Sequence, residues 1–264
     1  MLKIQKLSKV FNENTINENL VLDKLSLDIE EGDFITIIGS NGAGKSTLLN
    51  IISGSIEDYK GKIVLDDKEI SNLSEFKRTK FIGRVFQDPS SGTSPSMNIL
   101  ENLSMAHNKG RRFGLSRGIS KKHIPYFKEL LSKLDLGLEN NLYNKVGLLS
   151  GGQRQAMSLI MATMSNPRLL LLDEHTAALD PKTSEKIINL TEEVVKSKKI
   201  TTLMITHNLN HAIKLGNRLI MMHRGNILLD IKGEEKKALT IEKLLNYFEN
   251  LQSQDVMSDR VLFS

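Results

Sequence analysis

The chain has 264 residues, 39% hydrophobic and 25% charged, a balance that supports a sizeable buried core and excludes a disordered or low-complexity chain. The absence of cysteine excludes a disulfide framework, a zinc–thiolate site and a thiol nucleophile. The net charge of +5 is local: "KGRRFGLSRGISKK", residues 109–122, holds six basic residues and no acid, which leaves the rest of the chain close to neutral.

Taken in chain order, the opening "MLKIQKLSKVF" lacks the apolar core of a signal peptide, and no apolar run reaches the roughly 18 residues that span a bilayer, so the chain is expected in the cytosol. Alternation in that segment and in "NLVLDKLSLDIE" predicts half-buried strands, and the nearly continuous apolar "DFITIIG" predicts a central one. "GKIVLDDKEI" reads as a strand ending in an Asp-Asp turn, and "FIGRVFQDP" as a strand closed by Pro89. From about residue 96 the spacing becomes helical, in "SMNILENLSMAH" and "HIPYFKELLSKLDL", which predicts a mainly helical lobe at about 88–165 inserted in an α/β core. Helix and strand then alternate through "RLLLLDE", "KTSEKIINLTEEVVKSKK", "TTLMITH", "LNHAIKLG", "RLIMMHRG" and "NILLDI", the pattern of a mainly parallel sheet with crossover helices. A helical tail is expected over 233–264, with no room for a separate regulatory domain. The basic run 109–122 reads first as a solvated loop and second as a contact for acidic lipid headgroups, at about 1 kcal/mol per well-placed cation. Only Phe113 interrupts it, a poor match to the alternating aromatic and basic surface that nucleic acid prefers.

"GSNGAGKST" (Gly39, Ser40, Asn41, Gly42, Ala43, Gly44, Lys45, Ser46, Thr47) follows the central strand and precedes the helix-like "LLNIISG", the context a phosphate-binding loop requires. Glycines let successive amides point at phosphate oxygens, and the following helix adds its positive end. Lys45 would bridge the terminal phosphates and Ser46 would offer its hydroxyl oxygen to magnesium. Such a loop needs acids at the same rim. The "LLLLDE" strand, apolar on both faces, would deliver Asp173 to magnesium through water and Glu174 to an attacking water.

Leu149, Ser150, Gly151, Gly152 and Gln153, in "LLSGGQRQAMSLIMATM", reproduce the signature of the ATP-binding cassette (ABC) family, and about residues 2–230 resemble it. The resemblance implies an α/β phosphate-loop NTPase core with an antiparallel β subdomain, an inserted helical signature subdomain and ATPase activity with ATP and Mg2+. By the same resemblance Gln87 in "VFQDP" is the glutamine of the catalytic and metal set, Asp180 ends the inter-subunit loop, His207 in "MITHN" is the switch histidine at the γ-phosphate, and Phe11 stacks on adenine, worth about 1–3 kcal/mol by analogy with base stacking. Ser150 and the two glycines that open a helix make a second anion-binding end, and the family joins two cassettes head to tail so that each nucleotide lies between the phosphate loop of one and the signature of the other. His175 departs from the commoner proline. It reads as a loop residue that tolerates the turn, and if protonated it would lower the Glu174 pKa.

"DEHTAALDPKT" and "KVGLLSGGQRQA" are similar to bacterial importer ATPases that work with a separate permease and a substrate-binding lipoprotein, some of them associated with aromatic amino acids. The implied partners are a second copy of the chain, the permease and an extracytoplasmic binding protein, with the ATPase peripheral at the cytoplasmic face and no nucleic acid expected. A soluble ABC ATPase in assembly or nucleic-acid processes, and a membrane cassette that transmits force without transport, are the alternatives.

Overall fold

The computed structural model describes residues 1–110 and 118–247. Residues 111–117 of the basic run and 248–264 of the expected tail therefore lie outside the described residues. Two sheets share one core. The first is antiparallel, in the order β2-β1-β4-β5: β1 (Leu2–Phe11), β2 (Asn19–Ile29), β4 (Lys60–Leu65) and β5 (Lys68–Glu69). Its alternation is the one in the sequence, with Leu2, Ile4 and Leu7 of β1 and Leu25, Leu27 and Ile29 of β2 buried. Asp66 and Asp67, at φ 48° and 61°, make the two-residue turn between β4 and β5, the left-handed pair that such hairpins need.

The second sheet has six strands in the order β10-β9-β3-β8-β7-β6. In it β3 (Phe34–Gly39) is central, flanked by β8 (Thr201–Ile205) and β9 (Arg218–His223), with β7 (Leu169–Asp173) and β6 (Ile82–Val85) beyond β8. These five strands are parallel. β10 (Asn226–Lys232) returns as an antiparallel hairpin from β9, so the alternation of helix and strand stops one element before the edge.

The four leucines of β7 divide by parity, which explains their uninterrupted run. Leu169 and Leu171 join the core shared with the antiparallel sheet and with Leu48, Leu49, Ile51 and Ile52 of α1 (Lys45–Ser53), whereas Leu170 and Leu172 face Leu159 of α5 (Gly151–Thr163) and Ile188 of α6 (Pro181–Lys198). Both sheet faces are dry, and alternation has no polar side to occupy.

Among the described residues, the named elements between β6 and β7 are helical: α3 (Ile99–His107) and α4 (Ile124–Ser132) pack with α5 around Leu103, Phe127, Leu131 and Met157, while the short α2 (Glu75–Arg78) precedes β6. Asn98 and Glu101 form a reciprocal capping box that starts α3 three residues later than the periodicity suggests. After β10, α8 (Glu234–Lys237) and a helical turn over 241–247 bury Leu239 and Leu244 against Ala212 of α7 (Leu209–Lys214) and Leu219 of β9. No helix among the described residues is long and apolar enough to cross a membrane.

The parallel register puts Asp173 beside Ile205 and Leu172 beside Val85, so β3, β6, β7 and β8 all release their chains at one rim.

Candidate active site

At that rim the loop between β3 and α1 begins and ends on glycines, Gly39 and Gly44, where a side chain has no room. Gly44 is the N-cap of α1 at φ 93°, and a Cβ there would lie 2.7 Å from Leu22 Cδ2 and 2.9 Å from the Val21 carbonyl oxygen. Lys45 is buried, and its ammonium donates to the carbonyls of Gly39 and Ser40, each at 2.8 Å, folding back over its own loop. Burial lowers its pKa, opposed by the carboxylates of Glu174 and Asp173. A cleft of about 380 Å3 joins Phe11, Asn41, Gly42, Ala43, Gly44, Lys45, Ser46 and Thr47 to Glu174.

Ser46 donates its hydroxyl to Asp173 Oδ1 at 3.2 Å, which ties α1 to the end of β7. Burial pushes the Asp173 carboxyl above its ordinary range, while Arg84, 3.7 Å from Oδ2, and the Ser46 hydrogen bond pull it down. The Ser46 and Asp173 oxygens are hard donors of the kind magnesium accepts. No cluster of three ligating side chains occurs among the described residues, so the protein offers a partial oxygen site of the type that Mg2+ completes with substrate phosphates and water.

Glu174 takes φ 44°, an uncommon conformation for a glutamate, and its amide donates to the Ile205 carbonyl at 3.2 Å. This bend turns the side chain from the strand direction toward His207, which follows β8, and His207 Nε2 lies 2.6 Å from Glu174 Oε1. Glu174 is largely enclosed while His207 is 47% exposed. Gln87 stands exposed two residues beyond β6 at the same edge.

The signature residues lie elsewhere. Ser150 caps α5, accepting from the Gln153 amide at 3.2 Å while the Gln153 side chain accepts from the Ser150 amide at 3.0 Å. Ser150, Gly152 and Gln153 line a separate hollow of about 400 Å3 with Lys182 and Thr183, sharing no residue with the phosphate-loop cleft. Gly152 has its own packing reason to be glycine, because a Cβ would come within 2.2 Å of Thr183 Cγ2 on α6. Gly151 opens the helix beside it, and Asp180 caps α6 by accepting from the Thr183 amide at 3.1 Å. The Thr183 hydroxyl first, and its amide second, hold the Asp180 carboxyl below its ordinary range.

His175 sits in the turn, and it is buried there, with Nε2 3.1 Å from Thr191 Oγ1. The Thr191 hydroxyl donates its hydrogen to the Ile187 carbonyl at 2.7 Å, which assigns the imidazole proton to Nε2. Burial lowers the His175 pKa to about 4, with His211 adding to the effect, so the ring is neutral near pH 7 and does not act on Glu174 as a cation. Sequence reasoning also missed Arg84, whose guanidinium reaches Asp173, Asn50 and Ser53 and stacks on Phe86 at 4.5 Å. The available signal was a charge inside the apolar "FIGRVF". Gln155 was missed as well, a buried side chain on α5 that donates to the Phe86 carbonyl just before Gln87.

A phosphate loop, paired acids and a histidine on one rim, with a glycine-opened signature helix set apart, define a cassette-type ATPase. The profile of the ABC transporter family matches residues 22–177, and the chain belongs to that family of ATP-hydrolysing subunits. The chain is 54% identical over 249 residues to the tyrosine transport ATP-binding protein of Clostridioides difficile (strain R20291), covering 94% of this chain and 99% of that protein. It is 34% identical over 258 residues to the methionine import ATP-binding protein MetN of Clostridium tetani (strain Massachusetts / E88), covering 93% and 76%. Among solved structures, the dimeric ATP-binding cassette MJ0796 in a post-hydrolysis state with ADP and Pi superposes with a TM-score of 0.76 at 30% identity, over 88% of this chain and 98% of that one. A nucleotide-free cassette from an ABC transporter gives 0.75 at 29%, over 93% and 95%.

Proposed function

We propose that this chain is the ATPase of a bacterial importer for tyrosine or a closely related aromatic amino acid, acting at the cytoplasmic face on a separate permease. The 2.6 Å pairing of Glu174 with His207 beside the phosphate-loop cleft carries the hydrolytic part of this reading. The 54% identity to a tyrosine transport protein, along nearly the whole of both chains, supports the cargo.

In this mechanism adenine stacks on Phe11 and the triphosphate follows the amides of residues 39–47. Lys45 exchanges the carbonyls of Gly39 and Ser40 for the β- and γ-phosphates. Ser46 and Asp173 would hold the magnesium, with Gln87, two residues beyond β6, adding an oxygen; the ion would supply charge neutralisation at the phosphates. Glu174 accepts the proton of the attacking water as its oxygen bonds to the γ-phosphorus and the bond to ADP breaks. His207, half exposed, can leave Glu174 to donate to the γ-phosphate.

The separation of the signature hollow from the cleft supports a two-chain site. Ser150, Gly151, Gly152 and Gln153 of a second copy would close on the nucleotide, with Asp180 at the contact, and loss of the γ-phosphate would release it. The helical lobe at 88–165 would carry that closure to the permease, with Gln87 at its edge, and an extracytoplasmic binding protein would deliver cargo.

The test is to purify the chain in mild detergent with the membrane chains that accompany it, reconstitute the complex, and measure ATP-dependent uptake of labelled tyrosine and methionine. Saturable tyrosine uptake, competed by phenylalanine more strongly than by methionine, is the expected result. Recovery of soluble partners alone, or flux indifferent to tyrosine, would overturn it.

A further inference from the structure

Lys9 is a charged residue on the buried side of β1. It is only 6% exposed, its ammonium lies 4.8 Å from the centroid of the Phe11 ring, and it donates to Asp58 Oδ2 at 3.0 Å. Phe11 lines the phosphate-loop cleft, whereas Lys9 is not among the lining residues. Phe11 therefore borders the cleft while a cation lies over its ring.

This arrangement is a costly way to hold a lysine. The carboxylate of Asp58 is 94% exposed, so water screens it and weakens the ion pair. Burying an ammonium calls for more than one weak partner, and the electron-rich face of an aromatic ring supplies another. Strand geometry also favours the contact, since residues 9 and 11 project on the same side of β1.

We propose that Lys9 is a positioning residue for the base of the nucleotide. Its ammonium fixes the orientation of the Phe11 ring and withdraws π density from it, so the free face offers an electron-poor surface to an electron-rich purine. This rests on Phe11 being the base platform. The consequence is specific: Lys9 contributes to recognition of the base and not of the phosphates, although it is a cation beside a triphosphate site.

The test compares ATP with inorganic tripolyphosphate, which has the charge but no base, by competition against a fluorescent nucleotide on the full chain. Lys9→Met keeps the length of the side chain and removes the charge. It is expected to weaken ATP about three- to tenfold and leave tripolyphosphate within about twofold, raising KM with kcat unchanged. Lys9→Arg, which retains a cation over the ring, should restore ATP. Equal weakening of both ligands would mean general attraction of phosphate, and no weakening of either would mean packing alone; each overturns the proposal. Should Lys9→Met fail to fold, Asp58→Asn removes the exposed carboxylate and leaves the ammonium on the ring. Its ATP-over-tripolyphosphate preference should be preserved, and a loss would assign the effect to the ion pair. Phe11→Leu is the control for the underlying reading: if it leaves ATP affinity unchanged, the platform itself is wrong, an outcome distinct from a failed Lys9 result with a working platform.

Discussion

Glu174 Oε1 and His207 Nε2 meet at 2.6 Å across the ends of two neighbouring parallel strands, β7 and β8. The glutamate is enclosed and held by a left-handed bend, while the histidine is half exposed, so the pair joins a fixed group to a movable one. Glu174→Gln keeps the size of the fixed side chain and removes its basicity. ATP turnover should fall by about 10²-fold or more with ATP affinity retained, and a dimer stable in ATP should appear by size-exclusion chromatography. Near-normal turnover in this variant would falsify the assignment of the base.

Lys45 has two jobs in sequence, and its substitution should expose both. Without nucleotide its ammonium satisfies the Gly39 and Ser40 carbonyls from a buried position. Lys45→Ala should therefore destabilise the nucleotide-free protein by about 1–3 kcal/mol for the two carbonyls left without it, read as a lower melting temperature. It should also abolish the thermal shift that ATP gives the wild type. A variant that still gains stability from ATP would show that the phosphates are held without Lys45.

The parts of this site that were legible in the sequence are those whose function needs a contiguous pattern. The phosphate loop, "LLLLDE" and "LLSGGQ" each place their residues by local chain geometry, so spacing alone positions Lys45, Glu174 and Ser150. The illegible parts are contacts between elements distant in the chain. Arg84 meets Asp173 because β6 and β7 are register neighbours, a fact that lies in no window around either residue. His175 looks like any polar turn residue until α6 packs over it and Thr191 receives its Nε2 proton. The β9–β10 hairpin escaped for a different reason: both strands are short, and direction is decided by the two-residue turn at Arg224 and Gly225, both at positive φ.

Gly152 offers a packing test that is independent of nucleotide. Alanine in place of a helical glycine ordinarily stabilises, but at this second position of α5 its Cβ would stand 2.2 Å from Thr183 Cγ2, so α5 and α6 would have to part. Gly152→Ala should destabilise the chain by about 1–3 kcal/mol in urea unfolding. Thr183→Ser removes the offending methyl and keeps the amide that Asp180 caps, so the double variant should recover most of the loss. Failure of the second change to rescue the first would show that the clash is not with Thr183.

The remaining prediction concerns pH and follows from His175. Its pKa of about 4 in the folded chain lies below the ordinary 6.5, so between those values the unfolded chain binds a proton that the folded chain refuses. Stability on this account is complete above pH 6.5 and is lost as pH falls toward 4, by about 3 kcal/mol in all. Carboxylates elsewhere add their own acid sensitivity, and the useful quantity is therefore a difference between variants. His175→Gln keeps a donor near the Nε2 position for Thr191 but cannot titrate in this range. Melting temperatures of the two proteins should run parallel above pH 6.5 and converge or cross below it, with the wild type falling more steeply. Parallel curves down to pH 4.5 would mean that the imidazole is protonated in the folded protein, and that a neutral ring against Thr191 is the wrong description of the turn behind Glu174.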